Sequence, residues 1–289
     1  MNKWLKWFNF EVTKLTNIPA CLKPAGCCKV QSMAIVTLLT DSGESDHYVA
    51  AIKAKILSVN PGLTIVDISH KIAACDIAHG AFVLKAVFRD FPKGTVHLAG
   101  VDATSNRGDS CIAIQLEDHF FVGPDNGLFG LISEKPHQIL VELNKINPIA
   151  STFPEKDIFA SVAAKLASGV AINTVGIAMT GFRKMTDRHV KATKKLIAGN
   201  VIRIDNYGNL ITNIPKDAFD TLSKGKNFTI QFSGEKFKRI HTTYHQTDQG
   251  ECFLIFNSLG LLEIGIYKGN ANELLGLGYD SPVNIMFDE

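Results

Sequence analysis

Three aspartates in this chain sit where a binding site is easily built. Asp41, Asp67 and Asp102 each stand at the end of a short apolar run of the kind that forms a buried strand. In an open α/β sheet, ligands gather beyond the carboxyl ends of the strands. A carboxylate there can accept hydrogen bonds from both hydroxyls of a ribose. Asp41 is the best placed: it closes the run AIVTLLT, a glycine turn follows at Gly43, and Asp46 opens the next helical segment. Its plainer role would be to cap that helix. No phosphate cradle accompanies it, since G-x-G-x-x-G does not follow the first strand and G-x-x-x-x-G-K-[ST] occurs nowhere. That combination points to a nucleoside without a phosphate chain. No G-x-S-x-G elbow is present. His241 and His245 lie four apart in a β-like stretch, where that spacing does not make a metal pair.

The elements that must hold these aspartates alternate. Ala34–Leu39, Leu63–Ile68 and Thr95–Val101 are predicted strands, and Asp46–Val59 and Asp76–Arg89 predicted helices. Asn60-Pro61-Gly62 and Phe91-Pro92-Lys93-Gly94 punctuate them. This order predicts a mainly parallel sheet covered on both faces, with right-handed crossovers leaving the three aspartates at one edge. Cys111–Leu116 and His119–Val122 read as a hairpin, Gly123–Gly127 as a tight polar turn, Gln138–Leu143 as a strand and Asp157–Ser168 as a helix. From about Lys195 the period becomes alternating, with short strands split by turn residues. The expected organisation is an extension over 1–32 outside the fold, an α/β domain over 33–194 and an all-β barrel domain over 195–289.

Composition narrows the class. Apolar residues make up 46% and charged residues 20%, which suits a globular chain with an ample core. The net charge of +2 gives no basic field for nucleic acid. No apolar run approaches the roughly 18 residues of a membrane span. The six cysteines form no C-x-x-C pair, so neither a disulfide framework nor a zinc site is expected, and a reducing cytoplasm fits. The first 32 residues break every apolar run with charge, making a poor signal peptide. They read as an extension upstream of Met33.

Seven segments then occur in order: TDSGESDHYVAAIKAKIL, IVDISHKI, FPKGTVHLAGVD, GPDNGL, STFPEKDIFASVAAKLASG, IDNYGNLITNI and NSLGLLEIGIYKGNA. Together they resemble the S-adenosylmethionine (SAM) hydroxide adenosyltransferases, relatives of the SAM-dependent fluorinases and chlorinases, over about residues 33–289. The resemblance implies an N-terminal α/β domain, a C-terminal β-barrel and a homotrimer whose site lies between one subunit's N-domain and the next subunit's C-domain. The implied reaction is attack of a water-derived nucleophile, or a halide, on the 5′ carbon of SAM. L-methionine leaves, adenosine or its halide remains, and no metal or other cofactor is needed.

By that resemblance Asp41 would bind the ribose, and Asp205 and Asn209 would lie near the methionine and adenosine ends. Ser258 would bind methionine, and Tyr244 would stack near adenine. Asp102 and Arg107 match two members of the hydrolases' Asp–Arg–His set, though the loop between them is shortened. The histidine position is Pro154, which has no side-chain donor or acceptor. Glu155 stands at the halogenases' serine position and Cys75 at their stacking tryptophan. A carboxylate repels halide, so halogenation is disfavoured. Glu155 could replace the lost histidine as the base for water, with Asp102 as its partner. The plainer reading of Glu155 is a surface glutamate at a helix start. The expected function is SAM hydrolysis. The alternatives are a protein that binds SAM or adenosine with little turnover, and a different nucleoside-handling enzyme.

Overall fold

The computed structural model describes residues 34–104, 110–143, 151–186 and 188–288. Arg107 and the N-terminal 32 residues lie outside the described residues. The first sheet holds β1 (Ile35–Thr40), β2 (Thr64–Ser69), β3 (Val96–Gly100), β4 (Cys111–Leu116), β5 (His119–Pro124), β6 (Ile139–Glu142) and β7 (Ile177–Ala178). Their spatial order is β2-β1-β3-β5-β4-β6-β7. Pairs β2/β1, β1/β3 and β3/β5 are parallel, whereas β5/β4, β4/β6 and β6/β7 are antiparallel. The expected mainly parallel sheet is therefore mixed. The cause is the two-residue turn Glu117-Asp118, both residues at positive φ (51° and 64°), as a tight hairpin of right-twisted strands requires. It folds β4 and β5 back on each other, and every later strand is added antiparallel.

Helices cover both faces. α1 (Tyr48–Val59) buries Ile52 and Ile56 on one face. They share a core there with Phe159, Ala160, Ala163 and Ala164. The opposite face packs against α2 (Ile77–Val87), through Ala81 and Leu84, and α3 (Leu128–Ile132), through Leu128 and Phe129. The segment expected to be helical from Asp157 begins earlier, as a π-helical turn over Glu155–Phe159 that runs into α4 (Ala160–Ala167).

The second sheet contains β8 (Lys191–Ala192), β9 (Leu196–Ile204), β10 (Leu210–Pro215), β11 (Phe228–Phe232), β12 (Glu235–Phe237), β13 (Cys252–Phe256), β14 (Leu261–Ile266) and β15 (Pro282–Phe287). It is antiparallel throughout, in the order β12-β11-β15-β9-β10-β14-β13, with β8 on β9. It curls around one core of Ile197, Val201, Leu210, Ile230, Leu254, Ile264 and Val283. Among the described residues its edges β12 and β13 do not pair, so the expected barrel is an open half-barrel. Two short helices, α5 (Lys216–Leu222) and α6 (Ala271–Leu275), were not expected from the alternating pattern.

A buried polar cluster lies inside the first sheet's core. His97 on β3 is hydrogen-bonded to Thr37 Oγ1 at 2.7 Å and to His119 at 3.2 Å, and its ring stacks on Phe121. Burial, aided by the neighbouring His119, pushes its pKa down to about 3. The unfolded chain, with the ordinary value of 6.5, takes up this proton first, so stability falls as pH drops from 6.5 toward 3. Carboxylates with ordinary pKa values of about 4 add to this toward the low end of the range, so the His97 share is read as the difference between the parent protein and a variant. Between pH 6.5 and 4.5, urea unfolding of the protein is expected to lose stability steadily. His97→Gln should flatten that slope by about 1.4 kcal/mol per pH unit. An unchanged slope would show that His97 is not held neutral.

Candidate active site

β1 and β3 are neighbours in register, Thr40 beside Gly100, so the residues that follow them emerge together. One oxygen of Asp41, Oδ2, accepts the backbone N–H of Cys75 at 2.8 Å and that of Asp102 at 3.2 Å. Both donors have left-handed backbones, φ 59° at Cys75 and 50° at Asp102, a conformation that costs a residue with a side chain on the order of 1–3 kcal/mol. Asp41 does not cap α1: the cap position is His47. Its second oxygen, Oδ1, makes no hydrogen bond among the described residues.

Asp102 is held from the other side by Asn126, which is buried. Asn126 Nδ2 donates to Val101 O at 2.9 Å and to Asp102 O at 3.5 Å, while its Oδ1 accepts Leu128 N–H at 3.2 Å. Asn-Gly here looks like a plain turn in the sequence, and nothing local marks Asn126 as the strut beneath Asp102. Asp67 stands apart from this group. It pairs with Lys53 at 2.6 Å and lies 3.2 Å from His70. The Cys75 thiol bonds to Asp102, and the Asp102 charge pushes its pKa up, so it is not a reactive thiolate.

Glu155 is buried at 7% exposure, not on the surface as a glutamate at a helix start usually is. Pro154 precedes it in helical conformation, and the π-turn bonds Ala160 N–H to Glu155 O. Its side chain lies on Gly100, the last residue of β3, where a Cβ would run into Glu155 Cγ. Burial raises the Glu155 carboxyl above its ordinary value. A bond to its own backbone opposes the shift, and the Asp41 charge adds to it. Asp41, Asp102 and Glu155 thus form one group at the strand edge, two of them on strained loops and one tucked beneath.

The C-terminal candidates form a second group. Asp205 ends its strand and organises the next turn: Oδ1 accepts Tyr207 N–H and Asn209 N–H, each at 2.8 Å, and Oδ2 accepts Asn209 Nδ2 at 3.0 Å. Gly208, at φ 84°, lies where a Cβ would strike the Asn270 side chain. Tyr244 is half-exposed and packs edge-on against Phe253 at 5.3 Å. Ser258 is exposed in the turn that Asn257 closes by accepting Leu259 N–H and Leu261 N–H. Among the described residues no hydrogen bond or ion pair joins this group to Asp41, Asp102 or Glu155. Two cavities, of about 400 and 450 Å³, lie elsewhere, around His241 and His245 and around Arg89 and Glu117.

Two family models match the chain, the SAM hydroxide adenosyltransferase N-terminal domain over residues 36–176 and its C-terminal domain over 199–284. A Methanocaldococcus jannaschii protein named (R)-S-adenosyl-L-methionine hydrolase is 34% identical, over 88% of this chain and 96% of its own. A Thermus thermophilus protein of the same name is 30% identical, over 88% and 100%. An Actinoplanes fluorinase is 27% identical over 62% of this chain and 71% of its own. A crystal structure of an uncharacterised Thermotoga maritima protein superposes with a TM-score of 0.79 at 30% identity, covering 87% of this chain and 99% of that one.

The packing of Glu155 on Gly100 can be tested directly. Gly100→Ala should drive the carboxyl toward water and return its pKa toward 4.5. In ¹³C-glutamate spectra, with Glu155→Gln identifying the resonance, the Glu155 signal is expected to titrate at a lower pH in Gly100→Ala than in the parent protein. Superimposable titrations would show that this contact does not set the burial.

Proposed function

The chain belongs to the SAM hydroxide adenosyltransferase family, and we propose that it hydrolyses S-adenosyl-L-methionine to adenosine and L-methionine. The observation that carries the reading is a buried carboxylate, Glu155, beside Asp41 in a chain 34% identical to a protein named for that hydrolysis. The relatives are named for the (R) epimer at sulfur, and that epimer is the proposed substrate. Asp41 presents Oδ1 to the ribose hydroxyls while Oδ2 holds the loops. A water oxygen attacks carbon 5′, the C5′–S bond breaks with its electron pair passing to sulfur, and the water's proton goes to Glu155. Asp102 and Arg107 orient the water.

Glu155 suits this role because burial raises the basicity of a carboxylate. A halide would meet the same carboxylate as a repulsive charge, so water is the nucleophile. No cofactor enters the scheme. Asp205, Asn209, Tyr244 and Ser258 bind the methionine and adenine ends from the 195–289 domain of a neighbouring copy, facing the 33–194 domain of the first. The absence of any hydrogen bond or ion pair between the two groups among the described residues suits a homotrimer with its sites between subunits. The expected location is the cytoplasm, where thiols such as those of Cys75 and Cys252 stay reduced.

Chromatography of purified protein incubated with SAM is expected to show adenosine and methionine in equal amounts. Asp102→Ala should lower the rate by about 10²–10⁴-fold. The rate should climb with pH through a value above 4.5, as Glu155 loses its proton, and Glu155→Gln should abolish that limb. Tight SAM binding without product would make the protein a binder and not an enzyme. Sedimentation should give three times the 31.5 kDa chain mass, and a monomer that retains full activity would refute a site shared between copies.

A further inference from the structure

His70, the residue that follows β2, is an imidazole in the interior, 4% exposed. A slip in strand register brings it to the end of β1. Leu38 pairs with Asp67 but Leu39 pairs with Ser69, so β2 carries one extra residue, Ile68. Bulges of this kind re-aim the side chains that follow them. Continued by one residue, the shifted register sets His70 beside Thr40, the residue before Asp41.

Two bonds from His70 then bracket Asp41. The ring Nδ1 is hydrogen-bonded to Thr40 Oγ1 at 2.8 Å, and the His70 carbonyl accepts the Gly43 N–H at 2.9 Å. Thr40 is fully buried, so its hydroxyl must find a partner inside the protein. Gly43 has a left-handed backbone, φ 71°, and its bond to His70 pins the turn that leaves Asp41. The imidazole is held from its far side as well. Its Nε2 lies 3.2 Å from Asp67 Oδ1, and the other Asp67 oxygen pairs with Lys53 at 2.6 Å. A carboxylate only accepts, so Asp67 draws the ring proton to Nε2 and leaves Nδ1 to accept from the Thr40 hydroxyl. Asp67 has no bond to Asp41 or Asp102, but through His70 it reaches the backbone on which Asp41 stands.

We propose that His70 is the positioning residue for Asp41: by gripping Thr40 and Gly43 it aims the carboxylate, and so sets the preference of the site for a ribose diol. This rests on the reading above in which Asp41 binds the ribose hydroxyls. Asp41 Oδ2 is tied to the Cys75 and Asp102 N–H groups, which fixes one oxygen. The direction of Oδ1 depends on where the Asp41 backbone sits, and His70 anchors that backbone on both sides. A misplacement of about 1 Å in a group that must meet a ligand can cost about a hundredfold. His70 needs no contact with the ligand to have this effect.

The test measures calorimetric affinities for adenosine and 2′,3′-dideoxyadenosine. The parent protein should prefer adenosine by about ten- to a hundredfold, as expected for hydrogen bonds to a charged group. His70→Ala should bring the two affinities within about threefold of each other. Thr40→Val, which removes only the hydroxyl, should do the same, while Thr40→Ser should stay within about twofold of the parent. In an Asp41→Asn background, His70→Ala should change the preference by no more than about twofold, because the two residues act as one unit. A full preference for adenosine in His70→Ala overturns the proposal; if that variant does not fold, Thr40→Val decides in its place. An equal loss of affinity for both nucleosides also overturns it, since that is the mark of a merely structural role. If the parent protein binds the two nucleosides equally, the ribose reading fails on its own account. The positioning of Asp41 is then judged by its carboxyl resonance in ¹³C-aspartate spectra, identified with Asp41→Asn, and a resonance unmoved by His70→Ala overturns it.

Discussion

A single carboxylate oxygen holds the N-terminal group together. Asp41 Oδ2 ties the loop carrying Cys75 to the loop carrying Asp102, and both of its donors have left-handed backbones. Hydrogen bonds to an ionised acceptor are about twice as strong as neutral ones, which is what two strained residues need to stay in place. The clamp also divides the work of one side chain. Oδ2 is committed to structure, and Oδ1 makes no hydrogen bond among the described residues. Because Asn126 holds the carbonyl side of Asp102 while Asp41 holds its N–H, the direction of the Asp102 side chain is set before any substrate arrives.

Charge gives this arrangement its chemical bias. Asp41 and Asp102 lie together at the strand edge, with Glu155 packed on Gly100 beneath. Burial, with the Asp41 charge adding to it, makes Glu155 hold its proton more tightly. A cationic ligand relieves the crowding, and an anionic one worsens it. The same distribution that welcomes a sulfonium therefore disfavours a halide, without any steric argument. At the C-terminal group both oxygens of Asp205 are occupied by its own turn.

Much of this was legible in the sequence, for reasons that can be named. The alternation of apolar runs and helical periods marked β1 to β3 and their helices, and the strand-end aspartates stood out by position. The Glu117-Asp118 turn was visible as a hairpin, but its consequence, an antiparallel half of the sheet, depends on where β5 docks. Strand pattern alone could not tell a closed barrel from an open curl, because closure depends on edge pairing. The burial of Glu155 rests on Gly100, 55 residues earlier, and no local pattern links them. Asn126 was hidden in the same way. It sits in a run with an ordinary local reading, a turn, and its significance comes from backbone distant in sequence.

The two groups are built in different ways. Asp41, Asp102 and Glu155 depend on register between parallel strands and on a helix packed across them. Asp205 and Asn209 depend on a turn in an antiparallel sheet. Each group is completed by bonds within its own sheet and loops, so each can be preorganised without the other. For a reaction whose nucleophile is water itself, the fold supplies one chemical asset in advance: Glu155, buried by its packing on Gly100, holds its proton more tightly than an ordinary carboxyl and is a stronger base when ionised.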